Sequence, residues 1–236
     1  MTDHVRLDKC VADLMRCSRG DAQRYVDGGW VTVDGAMVAA PQAMVDPSTV
    51  TVSPSATLAD VEPATLLLHK PAGVASVDAV ALATAQTRDA ADPGAMRCVP
   101  RHFHGLQALM PLDDDASGLL VLTQDPRAAR RLREDGPTIE QEYLVEVEGT
   151  LPVYGMARLA RGMRHEGREL PPCKVSWQNE VRLRFAIKDV RPGQLRHMCA
   201  EVGLAVVAIR RLRIGRVPLA KIPVGGWRYL SVGDRF

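Results

Sequence analysis

Three kinds of side chain in this sequence could do chemistry together: a carboxylate, a phenol and a guanidinium. Asp113 opens a triplet with Asp114 and Asp115, Tyr143 lies in an alternating apolar run, and Arg196 lies in a helical pattern. An ionised carboxylate can act as a nucleophile, and a nearby cation favours its ionised form. Taken singly, each residue has an ordinary structural explanation. The aspartate triplet is most typical of a solvated loop or helix cap, Tyr143 of a sheet, and Arg196 of a helix surface.

The composition is that of a folded protein rather than a disordered or coiled-coil chain. The 236 residues are 46% hydrophobic and 25% charged, which fits one large domain or a small domain joined to a medium one. No apolar run reaches the roughly 18 residues of a membrane span, and no secretory signal pattern is present. We therefore expect a cytoplasmic protein.

Cysteine usage favours free thiols. The five cysteines form no Cys-x-x-Cys pair and are odd in number, which is typical of a reducing compartment rather than of disulfides or zinc ligation. We therefore expect no metal site.

Charge is distributed unevenly, although the formal net charge is only +2. Residues 1–60 hold 5 Lys and Arg against 8 Asp and Glu, whereas residues 156–236 hold 17 against 6. A basic segment of this kind indicates either a polyanion partner such as nucleic acid or a solvated basic face. Charge alone favours neither.

The first 52 residues have the pattern of a small separate domain. Apolar spacing predicts a short helix over 6–15, and Ser18 with Asp21 predicts a second helix that ends at Gly28. Asp34 followed by glycine is the signature of a hairpin. Two helices feeding a hairpin sheet form a shape that could lie on RNA. The arginines near the helix junction are Arg16, Arg19 and Arg24.

The remaining chain predicts a linker over 53–64 and a larger domain over 65–236. The linker holds two prolines and lacks periodicity. Short apolar or alternating runs predict strands at 66–69, 119–123, 143–147 and 181–187, and helical patterns follow Asp125 and Gln194. We expect an α+β fold with a mixed, largely antiparallel sheet and flanking helices. Residues 75–98 carry too little periodicity to assign.

Several motifs give the chain a family resemblance. The N-terminal segments RLDKCVADL at 6–14, CSR at 17–19 and VTVDG at 31–35 resemble the small RNA-binding domain shared with ribosomal protein S-four. The second domain resembles RNA pseudouridine synthases of the RsuA/RluB/RluF type, which modify ribosomal RNA. The motifs that carry this resemblance are LHKPAGV at 68–74, LDDDASGLLVLT at 112–123, EYLV at 142–145, QLRHMC at 194–199 and RLRIG at 211–215.

The resemblance implies a reaction and roles for individual residues. The family isomerises uridine to pseudouridine in RNA without a cofactor or metal, by breaking the bond between base and sugar, turning the uracil and rejoining it through carbon. By position, Asp113 matches the catalytic aspartate, Tyr143 the active-site tyrosine, and Arg196 the arginine that pairs with the aspartate. The resemblance also implies ribosomal RNA as partner, a monomer, and RNA binding by Arg6, Lys9, Arg16, Arg19, Arg24, Lys70, Arg211 and Arg213.

The sequence also departs from the family pattern at three places. The family has an arginine that assists base extrusion where this chain has Pro111, a lysine at Gln141, and Asn-Arg at Pro192-Gly193. These departures keep open the alternative of an RNA-binding protein with a synthase-like fold and weak or lost catalysis. A second alternative to a synthase is a ribosome-assembly factor that uses only its N-terminal unit.

Overall fold

The computed structural model describes residues 4–94 and 96–236, which form two compact units. Of the described residues, 4–63 and 96–106 form one unit, and 64–94 and 107–236 form the other. These bounds differ from the predicted ones, because nearly all of the segment expected to be a linker and residues 96–106 pack with the smaller unit. Arg97 lies 3.7 Å from the Trp30 ring centroid, and Arg24 binds the carbonyl of Leu58 and the carboxylate of Asp60.

The smaller unit contains two helices and two small sheets. In chain order its elements are β1 Val5–Arg6, α1 Leu7–Met15, α2 Arg19–Asp27, β2 Val31–Val33, β3 Ala36–Met37, β4 Met44–Val45 and β5 Val50–Val52. Strands β3, β2 and β5 form an antiparallel sheet in that order, and β1 pairs with β4. Leu7, Val11, Ala22, Val26 and Val31 are fully buried between these elements.

Local sequence signals account for this unit. The Ser18 hydroxyl accepts a hydrogen bond from the Asp21 amide at 3.1 Å and so caps α2. Asp34 and Gly35 both have positive φ, 51° and 77°, as a two-residue hairpin with the right-handed strand twist requires. The predicted helices and hairpin are present, and both helices lie within a residue or two of the predicted bounds.

The larger unit is built on one mixed sheet. Its strands are β6 Thr65–Lys70, β7 Gln107–Leu109, β8 Ser117–Thr123, β9 Gln141–Glu148, β10 Arg164–His165, β11 Arg168–Glu169, β12 Lys174–Asn179, β13 Arg182–Ile187, β14 Ala205–Ile214, β15 Val217–Pro218 and β16 Trp227–Tyr229. Its helices are α3 Pro126–Glu134, α4 Gly155–Arg161 and α5 Gln194–Ala200.

Within the described residues the sheet has nine strands in the order β12-β13-β9-β14-β8-β6-β16, with β15 added to β14 and β7 to β8. The β14–β8 pair is parallel and the other pairs in the sheet are antiparallel. Strands β10 and β11 form a separate hairpin. This arrangement confirms the predicted α+β fold and largely antiparallel sheet.

Two apolar clusters pack against the sheet. Val145 and Phe185 belong to one cluster with Met198 of α5, and Val121 belongs to the other with Leu132 of α3. Each helix thus covers part of the sheet and buries its own apolar side. Strand β6 is buried along its whole length.

The segment that the sequence left unassigned contains short 3-10 turns. Asp78–Leu82 and Ala85–Thr87 each form one, and the Trp227 indole N–H donates to the Thr84 carbonyl at 2.7 Å. Such turns have little apolar periodicity of their own, because their position depends on contacts with distant residues.

Candidate active site

A cavity of about 250 Å³ opens in the larger unit beside the parallel pair of strands. Its walls come from five places in the sequence: the loop before β8, the turn after α3, the start of β9, the loop before α5 with the start of that helix, and the middle of β14. Asp113, Tyr143 and Arg211 all line it. Residues separated by almost 100 positions therefore meet at one site.

Asp113 is held at the cavity by a backbone amide. Its Oδ2 accepts a hydrogen bond from the amide of Gly193 at 3.1 Å, and the side chain is partly exposed. Gly193 has a φ of 70°, a left-handed conformation that favours glycine. Among the described residues Asp113 has no ion pair within 4 Å, so the amide is its polar anchor.

Lys70 fixes the loop that carries Asp113. Its ammonium is buried and donates to the carbonyls of Pro71 and Asp114, each at 3.0 Å, and to that of Val74. The Gly73 amide also donates to the Asp114 carbonyl at 2.8 Å. Burial lowers the pKa of Lys70 from its usual range. The side chain is therefore enclosed by the loop and lacks the exposed position expected of an RNA-binding residue.

Tyr143 and Arg211 share one acceptor beneath the cavity. The Oε1 atom of Gln141 accepts from the Tyr143 hydroxyl at 2.8 Å and from Arg211 Nη1 at 3.0 Å. Arg211 also donates to the carbonyls of Leu119 at 2.8 Å and Met110 at 2.6 Å. Burial raises the pKa of Tyr143. The phenol is thus a protonated donor that is fixed in place.

The close approach of β8 and β14 explains how Arg211 reaches this position. Gly118 pairs with Arg211 across the parallel ladder, and a Cβ at Gly118 would lie 2.3 Å from the Arg211 carbonyl oxygen. Gly118 also has a φ of 116°. The glycine in the carboxylate motif therefore permits the strand contact that brings Arg211 to the cavity.

The predicted pair between Asp113 and Arg196 is wrong. Arg196 forms its ion pair with Asp115 and donates to the Val206 carbonyl at 3.2 Å, and it does not line the cavity. One residue separates the two carboxylates, and Asp113 turns toward the Gly193 amide whereas Asp115 faces α5. Arg196 thus restrains the same loop from a different carboxylate.

Arg211 and Arg213 do not have the exposed positions expected of RNA-binding residues. Arg211 is 1% exposed, and its donors are taken by the carbonyls and Gln141. Arg213 pairs with Glu140 at 2.8 Å and Glu142 at 3.2 Å. Arg211 thus belongs to the wall of the cavity, and Arg213 belongs to a group of ion pairs with Glu140 and Glu142.

The other five residues predicted to bind RNA lie in the smaller unit. Arg6, Lys9, Arg16, Arg19 and Arg24 are all exposed. Arg6 and Arg19 both donate to the buried carboxylate of Asp8 at 2.9 Å, which orients their guanidinium groups. These positions leave the cations accessible to a polyanion.

Two residues that organise the site were not among the predicted site residues. Gln141 is a departure from the family pattern, yet it is the acceptor that joins Tyr143 to Arg211. Gly193 is another departure, and its amide holds Asp113. The sequence signal that could have identified Gly193 is its position directly before α5, where a positive φ and a free N–H are common requirements.

Comparisons with known proteins agree on one class. The family model described as RNA pseudouridylate synthase matches residues 64–201, more than half of the chain, and this match contains Asp113, Tyr143 and Gly193. The chain therefore belongs to the RNA pseudouridylate synthase family, and it is an enzyme that isomerises uridine in RNA.

Individual relatives place it more closely. It is 28% identical to the dual-specificity RNA pseudouridine synthase RluF of Escherichia coli (strain K12), over 96% of this chain and 76% of that protein. It is 29% identical to ribosomal small subunit pseudouridine synthase A of Salmonella typhimurium, over 91% of both chains. A solved pseudouridylate synthase has the same fold, with a TM-score of 0.60 at 23% identity and 96% coverage of both chains.

Proposed function

We propose that this enzyme isomerises a uridine of ribosomal RNA and that Asp113 is its nucleophile. The observation that carries the proposal is the position of the Asp113 carboxylate, on the wall of a cavity that also contains Tyr143 and is anchored by the Gly193 amide. Two of the relatives are named for RNA or ribosomal small-subunit modification, which supports ribosomal RNA as the substrate.

The reaction is an isomerisation, so atoms balance within the nucleotide. The N1–C1′ bond of uridine breaks, a C5–C1′ bond forms, and the proton lost from C5 is replaced by one at N1. As the nucleophile, the Asp113 carboxylate bonds to C1′ as the N1–C1′ bond breaks, and it leaves again as C5 bonds to C1′, so the carboxylate is regenerated. The cavity wall formed by Tyr143 keeps the uracil at the site while it turns. Such an enzyme must receive its base outside the RNA stack.

The walls of the cavity are prepared before RNA binds. Lys70 joins the turn that follows it, through the carbonyls of Pro71 and Val74, to the Asp113 loop, through the carbonyl of Asp114. Arg211 holds Tyr143 through Gln141. Both cations act as positioning residues. Fixed surroundings of this kind lower the reorganisation that the reaction requires.

The smaller unit is proposed to be an S-four-like RNA-binding domain. Its exposed cations would meet phosphates, since phosphate contacts provide most of the affinity for RNA and fix the orientation of the protein. Asp8 holds Arg6 and Arg19 in a defined direction, which favours a fixed contact over a diffuse one. We also propose that the enzyme acts as a cytoplasmic monomer.

A pseudouridine map of ribosomal RNA tests this proposal. The map is compared between cells with and without the gene, and then after the gene is returned. Loss of one site that reappears on return is the expected result, and its position names the subunit. An unchanged map, together with retained binding of the purified protein to ribosomal RNA, would overturn the proposal in favour of an RNA-binding protein.

A further inference from the structure

The cavity wall contains a second arginine, Arg191, whose charge is only weakly paired within the protein. Arg191 lines the cavity in the loop before α5, and 52% of its side chain is exposed. Its partner among the described residues is Asp189, at 3.5 Å, a separation that allows little direct hydrogen bonding. Arg211, by contrast, is buried with its donors engaged. Of the two arginines that line the cavity among the described residues, Arg191 is therefore the one whose donors are less engaged by the protein.

Hydrogen bonds hold the backbone of Arg191, whereas its side chain is about half exposed. Its amide donates to Gln194 Oε1 at 2.9 Å, and its carbonyl accepts from the Gln194 amide at 3.1 Å. Two residues further on, the Gly193 amide holds Asp113. The loop that places the proposed nucleophile thus also places an exposed guanidinium at the rim of the same cavity.

Asp189 is engaged mainly by another residue. Arg168, on the β10–β11 hairpin, donates to Asp189 Oδ2 at 2.5 Å, whereas Arg191 faces Oδ1 at 3.5 Å. Because Arg168 neutralises this carboxylate, the charge of Arg191 is only weakly compensated. The Asp189 carboxylate is also close enough to Arg191 to draw its guanidinium back from the cavity when Arg168 is not bound to that carboxylate.

We propose that Arg191 forms a phosphate subsite that binds a phosphodiester flanking the target uridine. The inference rests on the proposed function, since a nucleotide whose base enters the cavity leaves its phosphates at the rim. A guanidinium offers paired N–H donors that match phosphate oxygens, and it stays charged at all physiological pH values. Arg168 and Asp189 tune the subsite because they decide how firmly Arg191 is held by the protein.

Binding of a short fluorescein-labelled oligouridylate at several salt concentrations tests the subsite. All variants carry Asp113→Asn, so that binding is measured without turnover. Arg191→Ala should weaken affinity by roughly tenfold, the effect of losing a hydrogen bond to a charged group. It should also reduce the slope of log affinity against log salt by about 0.7, the value for one phosphate contact on a single strand.

Matched variants separate this role from a structural one. Lys188→Ala removes an exposed cation from the same segment but outside the cavity wall, so affinity and slope should stay at the reference values. Arg191→Lys keeps the charge and should keep the slope while losing part of the affinity. Equal effects of Arg191→Ala and Lys188→Ala would overturn the subsite.

Asp189→Asn gives a test in the opposite direction. Asparagine tolerates the positive φ of 51° at this position, and it removes the charge that competes for Arg191, so affinity should rise. The gain should vanish in the Asp189→Asn/Arg191→Ala double variant. A gain that persists without Arg191 would contradict the proposal. These are binding measurements, so they succeed or fail independently of the pseudouridine map.

Discussion

Arg211 Nη1 and Gln141 Oε1 lie 3.0 Å apart in a buried hydrogen bond at the base of the cavity. The same oxygen accepts from the Tyr143 hydroxyl at 2.8 Å. A neutral amide can accept both bonds, whereas a lysine ammonium has only donors. The glutamine at this position is therefore matched to the buried arginine and does not simply remove a contact.

Gln141→Lys should destabilise the larger unit. It would bury an ammonium beside the guanidinium of Arg211 and leave the Tyr143 hydroxyl without its acceptor, at a cost of about 1–3 kcal/mol or more. The urea midpoint of unfolding measures this. Gln178→Lys, on the exposed face of the edge strand β12, is the control and should not move the midpoint. A Gln141→Lys midpoint equal to that of the parent would contradict the arrangement.

Alanine variants of the two glycines on either side of α5 separate the cost of a strained backbone from the positioning of Asp113. Gly193 and Gly203 have φ values of 70° and 79°, and an added Cβ would meet no atom within 4 Å at either position. Each alanine variant should lose about 1–2 kcal/mol of stability from the left-handed backbone. Only Gly193→Ala should also slow the single-turnover rate, because relaxation of φ moves its amide away from Asp113. Equal rates in the two variants would show that this amide does not position the carboxylate.

Asp8 should make the stability of the smaller unit depend on pH. Hydrogen bonds from Arg6, together with those from Arg19 and Gln23, lower the pKa of this buried carboxyl far below its usual range. Its contribution is therefore complete above the unfolded pKa of about 4 and is lost as pH falls through the folded value.

Asp8→Asn should accordingly lower the free energy of unfolding at pH 7, with a difference from the parent that shrinks below about pH 4. Urea unfolding followed from pH 2 to pH 7 measures the difference. Asp13→Asn, on the exposed side of α1, serves as the control. A difference that stays constant with pH would mean that the charge of Asp8 is unimportant.

Pro111 lines the cavity where the family has the arginine that assists base extrusion. Extrusion of a paired base costs a few kcal/mol, so we expect slow turnover on duplex-like targets and faster turnover on uridines already in a loop. Pro111→Arg should accelerate the paired substrate and change the unpaired one little, as measured by single-turnover assays on matched RNAs. No acceleration of the paired substrate would mean that another group handles extrusion.

Local features of the fold were predictable because they depend on neighbouring residues. The Ser18 cap, the Asp34-Gly35 turn and the alternation in β9 and β13 each follow from a few positions. The partner of Arg196 was not predictable. Asp113 and Asp115 are two residues apart, and the turn between them decides which one faces α5.

The basic C-terminal segment shows a second limit of sequence reasoning. Many of its arginines do not form an open basic face, because the sheet brings them within ion-pair distance of acidic residues. Arg182 lies opposite Glu146 and pairs with it, whereas Arg184 lies opposite Leu144 and reaches diagonally from β13 to Glu142 of β9. A charge count cannot reveal this compensation, since the two strands come from distant parts of the sequence.

The most direct test of the account is single-turnover conversion of uridine to pseudouridine by Asp113→Asn, on RNA that contains the mapped site. Asparagine keeps the size of the side chain and its acceptor for the Gly193 amide while removing the negative charge. We predict that conversion is abolished while RNA affinity stays near that of the parent, and that Asp114→Asn and Asp115→Asn are far milder. Comparable loss in all three variants, or retained conversion by Asp113→Asn, would contradict the assignment of Asp113 as the nucleophile.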